Sequence, residues 1–134
     1  MNKFKIKKGV GNLSFLWTTI KVKNLKESVE FYRDIVGLEV QRRFEAGPET
    51  KIVFLAAADG QTAVELIDDQ NQTEVELGAD ISLGFEVDSL AEKMKFVEEK
   101  NIVIQSGPIS PNPKIEFFFV LDPNGLKIQF VENK

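Results

Sequence analysis

The 134-residue chain contains no cysteine and no histidine. The first absence excludes a disulfide framework, a thiolate nucleophile, a CxxC redox motif and cysteine-held iron–sulfur clusters. The second excludes an imidazole acid–base, a Ser-His-Asp triad and any His-ligated zinc, iron or copper. What is left for chemistry is carboxylates, lysines, the single tyrosine Tyr32, hydroxyls, or a hard cation held by oxygens. No apolar run approaches the roughly 20 residues that a membrane-spanning helix needs. The N-terminal stretch MNKFKIKKGVGN carries positive charge without the apolar core of a secretory signal. These absences predict a cytoplasmic protein with no membrane partner.

The composition that is present, 43% hydrophobic and 28% charged residues, belongs to a globular chain able to bury a sizeable core. The length predicts one domain over residues 1–134. Seventeen Lys+Arg stand against 21 Asp+Glu, and the net charge of −4 gives a long-range field that disfavours nucleic acid. Small molecules or protein are the expected partners.

Along the chain, Phe15 to Val22 alternates as a strand, with Leu16, Thr18, Ile20 and Val22 on one face and Phe15, Trp17, Thr19 and Lys21 on the other. Asn24 followed by Glu27 is a capping-box-like helix start, and the apolar stripe Leu25, Val29, Tyr32, Ile35, Val36 runs to a stopping Gly37. Strand-like runs follow at Leu38–Phe44, Lys51–Ala57 and, after the hairpin dipeptide Asp59-Gly60, Thr62–Asp68. The order then repeats. Ile81–Val87 predicts a strand, Ser89 with Glu92 a second capped helix ending near Asn101, and Ile102–Gln105, Ile115–Leu121 and Leu126–Glu132 three more strands. The caps Asn24 and Ser89 lie 65 residues apart, as do the turn glycines Gly60 and Gly125. A repeat at that period means two copies of one unit, each too small to close a core alone. The predicted fold class is α+β: two βαβββ modules, about residues 15–68 and 81–132, joined by the polar linker Asp69–Asp80, with helices outside eight strands.

The stretch Ile20-Lys-Val-Lys-Asn-Leu-Lys-Glu-Ser-Val-Glu-Phe-Tyr-Arg-Asp-Ile-Val-Gly-Leu38 resembles the opening signature of the glyoxalase/bleomycin-resistance/extradiol-dioxygenase superfamily, the vicinal oxygen chelate proteins. Asp122-Pro-Asn-Gly-Leu-Lys-Ile-Gln-Phe130 is similar to its closing motif. The resemblance implies paired modules curled into a cupped eight-stranded mixed sheet, a site inside the cup, and often a homodimer. It implies no single reaction: members include metal-dependent lyases, epimerases and dioxygenases, and metal-free proteins that sequester antibiotics. In metal-using members the ligands, typically His, Glu, His and Glu, fall at positions that here are Trp17, Glu65, Ser82 and Gln129. Of these only Glu65 is an ordinary ligand, because Trp has no lone pair to give, Ser is weak and neutral, and Gln is uncommon. The expectation is therefore no metal and no cofactor.

The candidate ligand-binding residues are Trp17, Thr19, Lys21, Glu65, Ser82, Glu86 and Gln129. Trp17 either fills core volume or forms an aromatic wall inside the cup. Glu65 is either a solvated strand carboxylate or a ligand contact. Lys21 and Glu86, again 65 apart, either pair with each other or face a ligand. Arg42 and Arg43 alternate in face, so at most one points inward, and Phe117–Phe119 reads as a strand buried on both sides. The loops Ser110–Pro113 and Glu74–Asp80 are expected at the mouth of the cup, and Lys3–Lys8 as an extra edge strand or dimer contact. Three readings follow: a metal-free protein that binds a small organic molecule, a glyoxalase-type lyase or dioxygenase using Glu65 and Gln129, or an interaction module whose cup has closed. The first is preferred, so the expectation leans away from an enzyme.

Overall fold

The computed structural model of the chain describes residues 13–72 and 74–134; the Lys3–Lys8 arm lies outside the described residues. The first module runs β1 (Trp17–Lys21), α1 (Leu25–Glu30) continuing into a π-helical segment (Phe31–Val36), β2 (Glu39–Glu45), β3 (Thr50–Ala56) and β4 (Ala63–Asp69). The second runs β5 (Ser82–Glu86), α2 (Leu90–Glu99), β6 (Ser106–Asn112), β7 (Ile115–Leu121) and β8 (Lys127–Asn133). The strands form two four-stranded mixed sheets, β1-β4-β3-β2 and β5-β8-β7-β6. In each, the module's first strand lies parallel to its last and the other pairs are antiparallel. The paired βαβββ units of the α+β fold are thus present. The inner edge strands β1 and β5 belong to different sheets.

Each helix is started by the residue whose spacing marks it. The Asn24 side chain accepts from the Glu27 N–H at 3.0 Å, and Ser89 Oγ accepts from the Glu92 N–H at 3.2 Å. A carboxylate from each module's last strand takes a further orphan N–H: Asp68 Oδ2 accepts from Leu25 and Glu132 Oε1 from Leu90. Asn24→Ala and Ser89→Ala are each expected to lower stability by about 1 kcal/mol in urea unfolding. A change below a few tenths for both would mean that the strand carboxylates carry the caps.

One apolar cluster spans both modules. The helix-facing sides of the strands supply Ile20, Val64, Leu66, Phe118, Ile128 and Phe130, and the helices add Val29, Tyr32, Leu90 and Val97. Polar contacts tie the seam. The buried Tyr32 hydroxyl donates to Asp122 Oδ2 at 2.7 Å, while Asp122 Oδ1 accepts the N–H groups of Asn124 and Leu126, both at 2.8 Å. Asn124 in turn donates to Ser28 Oγ and accepts from the Lys23 N–H. Burial, followed by the charge of Asp122 and its hydrogen bond, pushes the Tyr32 phenol far above its ordinary value. Lys93 on α2 donates to the Ile35 carbonyl at 2.6 Å, at the end of the π-helical segment, with its Nζ 4.8 Å from the Phe130 ring centre. Burial lowers the pKa of its ammonium.

Two expectations need correction. The Ile102–Gln105 run is not a strand: Ile102 and Ile104 are half-buried against the core in a connecting segment. The strand is β6, and Ser110–Asn112, expected in a loop, belongs to it. Pro108 and Pro111 lack an N–H, which excludes them from a central strand but not from the sheet edge where β6 lies. The first helix also changes character halfway, since its second half winds as a π-helix.

Candidate functional site

Strand alternation sends every second side chain of β1, β3 and β4 away from the helices. On that outer face the cross-strand row Thr19, Glu65, Phe54, Arg42 runs across the sheet, with Trp17 and Phe44 in the flanking rows. The Trp17 ring meets Phe54 edge-on at 5.1 Å between centroids, and Phe44 stacks on Phe54 at 6.1 Å. The Arg42 guanidinium sits 4.2 Å above the Phe54 ring. Thr19 Oγ1 donates to Glu65 Oε1 at 2.5 Å, which fixes one carboxylate oxygen. Phe54 is buried beneath these groups, whereas Trp17 remains 41% exposed, so part of its ring is open. The face therefore offers an aromatic surface, a carboxylate with one oxygen to spare, and a guanidinium lying over Phe54.

Trp17, Thr19 and Glu65 are thus brought together, and Arg42, Phe44 and Phe54 join them without having been singled out as site residues. A bulge hides Arg42. Val40 pairs with Leu55 on the core side and Arg42 with Phe54 on the outer side, because the register shifts by one residue at Gln41. Simple alternation from Val40 would send Arg43 outward instead. Phe54 was indistinguishable from its neighbours in the apolar run Ile52–Ala56, which is buried throughout.

The remaining candidates lie elsewhere. Ser82, Glu86 and Gln129 occupy the corresponding face of the second sheet, where Gln129 stands between Gly84 and Phe119. A methyl group built on Gly84 would come within 3.2 Å of Gln129 Oε1, so glycine there makes room for the amide. Phe117 and Phe119 pack edge-on at 5.8 Å on the same face. Glu86 accepts from Asn133 Nδ2 at 2.8 Å, and among the described residues it forms no ion pair with Lys21. A strand neighbour at hydrogen-bond distance satisfies it first. Lys21 instead lines a groove of about 480 Å³ beside Glu74, Glu76 and Leu77 of the linker. Ser82 and Glu86 line a second groove of about 470 Å³ with Thr18 and Val64. Among the described residues, the hydrogen bonds and aromatic contacts of each candidate set stay within its own sheet.

The donor set can be tested against a metal centre from the side chains themselves. Trp17 contributes an indole N–H and a ring already packed on Phe54, Ser82 is an exposed hydroxyl, and Gln129 offers a neutral oxygen. Glu65 alone is anionic, and one of its oxygens accepts from Thr19. Among the described residues no three His, Cys, Asp or Glu side chains are grouped so as to hold a metal ion. These residues do not fit a divalent transition metal.

A model of the Glyoxalase/Bleomycin resistance protein/Dioxygenase superfamily matches residues 14–130. A lactoylglutathione lyase of Haemophilus influenzae is 32% identical over 131 residues, covering 91% of this chain and 94% of that protein. Among solved structures, glyoxalase I of Leishmania major aligns with a TM-score of 0.78 at 22% identity, over 90% of this chain and 87% of that one. An antibiotic-binding protein of a Streptomyces species aligns with a TM-score of 0.72 at 17% identity, over 91% of this chain and 98% of that one. At such identities the two structural likenesses speak for the fold alone. No helix among the described residues is long and apolar enough to cross a membrane.

Proposed function

We propose, from the premise that this chain belongs to the glyoxalase/bleomycin resistance/dioxygenase superfamily, that it captures a small organic molecule on the aromatic face of its first sheet without a metal ion. The observation that carries this reading is the assembly of Trp17, Phe54, Phe44, Arg42 and Glu65 on one face. At the positions where the family's metal ligands would stand, only Glu65 is a charged donor. A flat ligand stacks on the open part of Trp17, gives a hydrogen bond or a cationic group to Glu65, and presents an acceptor to the edge of Arg42. Stacking and one charge-assisted bond together contribute about 2–4 kcal/mol, or one to three decades of affinity.

A homodimer is part of the same proposal. The first sheet's face carries Trp17, Thr19 and Glu65 and the second sheet's Ser82, Glu86 and Gln129, and a second copy would set the first face of one protomer against the second face of its partner. Half-exposed Phe44, Ile109 and Leu121 and the more exposed Phe15, Leu16 and Ile81 supply the apolar surface for it.

The test is a screen of natural products and metabolites by quenching of Trp17 fluorescence, followed by calorimetry. Trp17→Ala, Arg42→Ala and Glu65→Gln are each expected to weaken a ligand about three- to tenfold with unchanged circular dichroism. Binding by all three variants as tight as the parent's would overturn the assignment, and a monomer in light scattering at micromolar concentration would overturn the dimer. A second reading, a lactoylglutathione-lyase-like enzyme using Glu65 and Gln129, is favoured by the identity to the Haemophilus protein. Formation of lactoylglutathione that a chelator abolishes would establish it in place of the first.

A further inference from the structure

The side of the first sheet opposite the aromatic face carries a separate feature. Between α1 and β2–β4 runs a trough of about 610 Å³ with five cationic side chains at its walls: Lys23, Lys26, Arg33, Arg43 and Lys51. Only two carboxylates line it, and both are engaged. Glu30 pairs with Lys26 at 3.0 Å, and Asp68 accepts from the Leu25 N–H and from Gln70 Nε2. Arg33 is paired with Asp34. Among the described residues Lys23, Arg43 and Lys51 form no ion pair, and with Glu30, Asp68 and the Arg33 partner Asp34 counted, five cations face three carboxylates, a local excess of two positive charges on a chain whose net charge is −4.

The second module shows that the fold does not require this charge. Asp68 and Glu132 occupy the same role, each accepting the first N–H of its module's helix, and they pair across the sheet with Lys51 and Glu116 respectively. At the matching positions Lys23 becomes Asp88, Arg33 becomes Glu98, Lys51 becomes Glu116 and Lys26 becomes Ala91. Two copies of one structural unit thus carry opposite charge at three of these four equivalent places, the first copy basic and lining a trough, the second acidic there.

We propose that the trough binds a compact small molecule carrying two adjacent phosphate groups. The guanidinium of Arg43 suits bidentate contact with phosphate oxygens, and the ammoniums of Lys23 and Lys51 neutralise charge beside it. The apolar side chains of Leu25 and Val29 in the wall accommodate an organic remainder. Size selects the ligand class. A compact polyanion inside the trough feels the local cations within about 8 Å, the screening length at physiological salt, while an extended polyanion such as RNA also meets the acidic remainder of the surface.

Inorganic pyrophosphate is the probe, titrated into the full chain near 0.15 M salt and followed by amide chemical shifts and calorimetry. Saturable binding is expected, with shifts concentrated in residues 23–33 and 43–51. Arg43→Ala and Lys51→Ala are each expected to weaken it at least about fivefold, and Lys114→Ala, in the turn before β7, by less than about twofold. All three side chains are exposed, and unchanged circular dichroism verifies that the variants fold. The proposal is overturned by the absence of saturation up to about 10 mM, or by binding that Arg43→Ala and Lys51→Ala leave intact. It is equally overturned if an RNA oligonucleotide, anionic vesicles or a second copy of the chain engages these residues while pyrophosphate does not. Because the probe contacts none of the aromatic face, failure here leaves the proposed cup function standing, and failure there leaves this site standing.

Discussion

Removing the Asp122 carboxylate is expected to destabilise the protein more than any other single polar change. Asp122→Ala strands three donors at once, the buried Tyr32 hydroxyl and Leu126 N–H and the half-buried Asn124 N–H. The expected loss is about 3–5 kcal/mol, a large fraction of the stability of an ordinary domain. Tyr32→Phe removes one bond to a charged acceptor and is expected to cost about 1.5–3 kcal/mol. The two effects should be strongly non-additive, because the double variant has lost the same contact only once. Urea unfolding followed by Trp17 fluorescence measures all three. A Tyr32→Phe effect under about 0.5 kcal/mol would show that the contact carries little. The seam also sets an alkaline limit. The Tyr32 phenol titrates higher in the folded chain than its ordinary value near 10, so its contribution is complete below pH ~10 and declines as pH rises above that, by up to about 1.4 kcal/mol per pH unit. Tyr32→Phe should lose this dependence.

Restoring the missing ligands should have the largest effect on binding. Trp17→His, Ser82→His and Gln129→Glu, introduced together with Glu65 retained, replace one indole, one hydroxyl and one amide by two imidazoles and a carboxylate. Four good donors in place of one should raise affinity for Zn²⁺ or Ni²⁺ at least about a thousandfold, from millimolar or weaker to micromolar or tighter. Because the four positions divide between two sheets, the gain requires those faces to meet, so under the proposed dimer it should be accompanied by metal-dependent association of two copies. Adding Glu65→Gln should reverse much of it. If the triple variant binds metal no better than the parent, the four positions do not converge and the shared cup is wrong.

Most of the architecture was written in short local signals. Asn24 and Ser89 compete with the backbone for helix-starting N–H groups wherever they occur, so their 65-residue spacing exposes the repeat directly. Positive φ at Gly60 and Gly125 makes the turn glycines equally readable. The failures arose where tertiary context overrode local pattern. Ile102 and Ile104 alternate as a strand would, yet they fill a gap at the core, and the proline-bearing β6 takes the ladder because the sheet ends there. For the candidate site, parity placed Trp17 and Glu65, since neither β1 nor β4 is interrupted. Parity failed for Arg42, where one bulged residue exchanges the faces of all that follow.

Among the described residues the two sheets end in four edge strands, which are guarded unequally. β2 presents a bulge and a run of charged side chains, and β6 presents two prolines and a broken register, so neither offers a regular row of N–H and C=O groups to a neighbour. β1 and β5 have five residues each, no proline and no bulge, with apolar Phe15, Leu16 and Ile81 beside them. Among the described residues, strand addition is therefore hindered at β2 and β6, and the regular ladders of β1 and β5 are left as the edges a neighbouring strand would meet without such an obstacle, so an aggregation-resistant variant would be sought by placing a charge or a proline there rather than on β2 or β6.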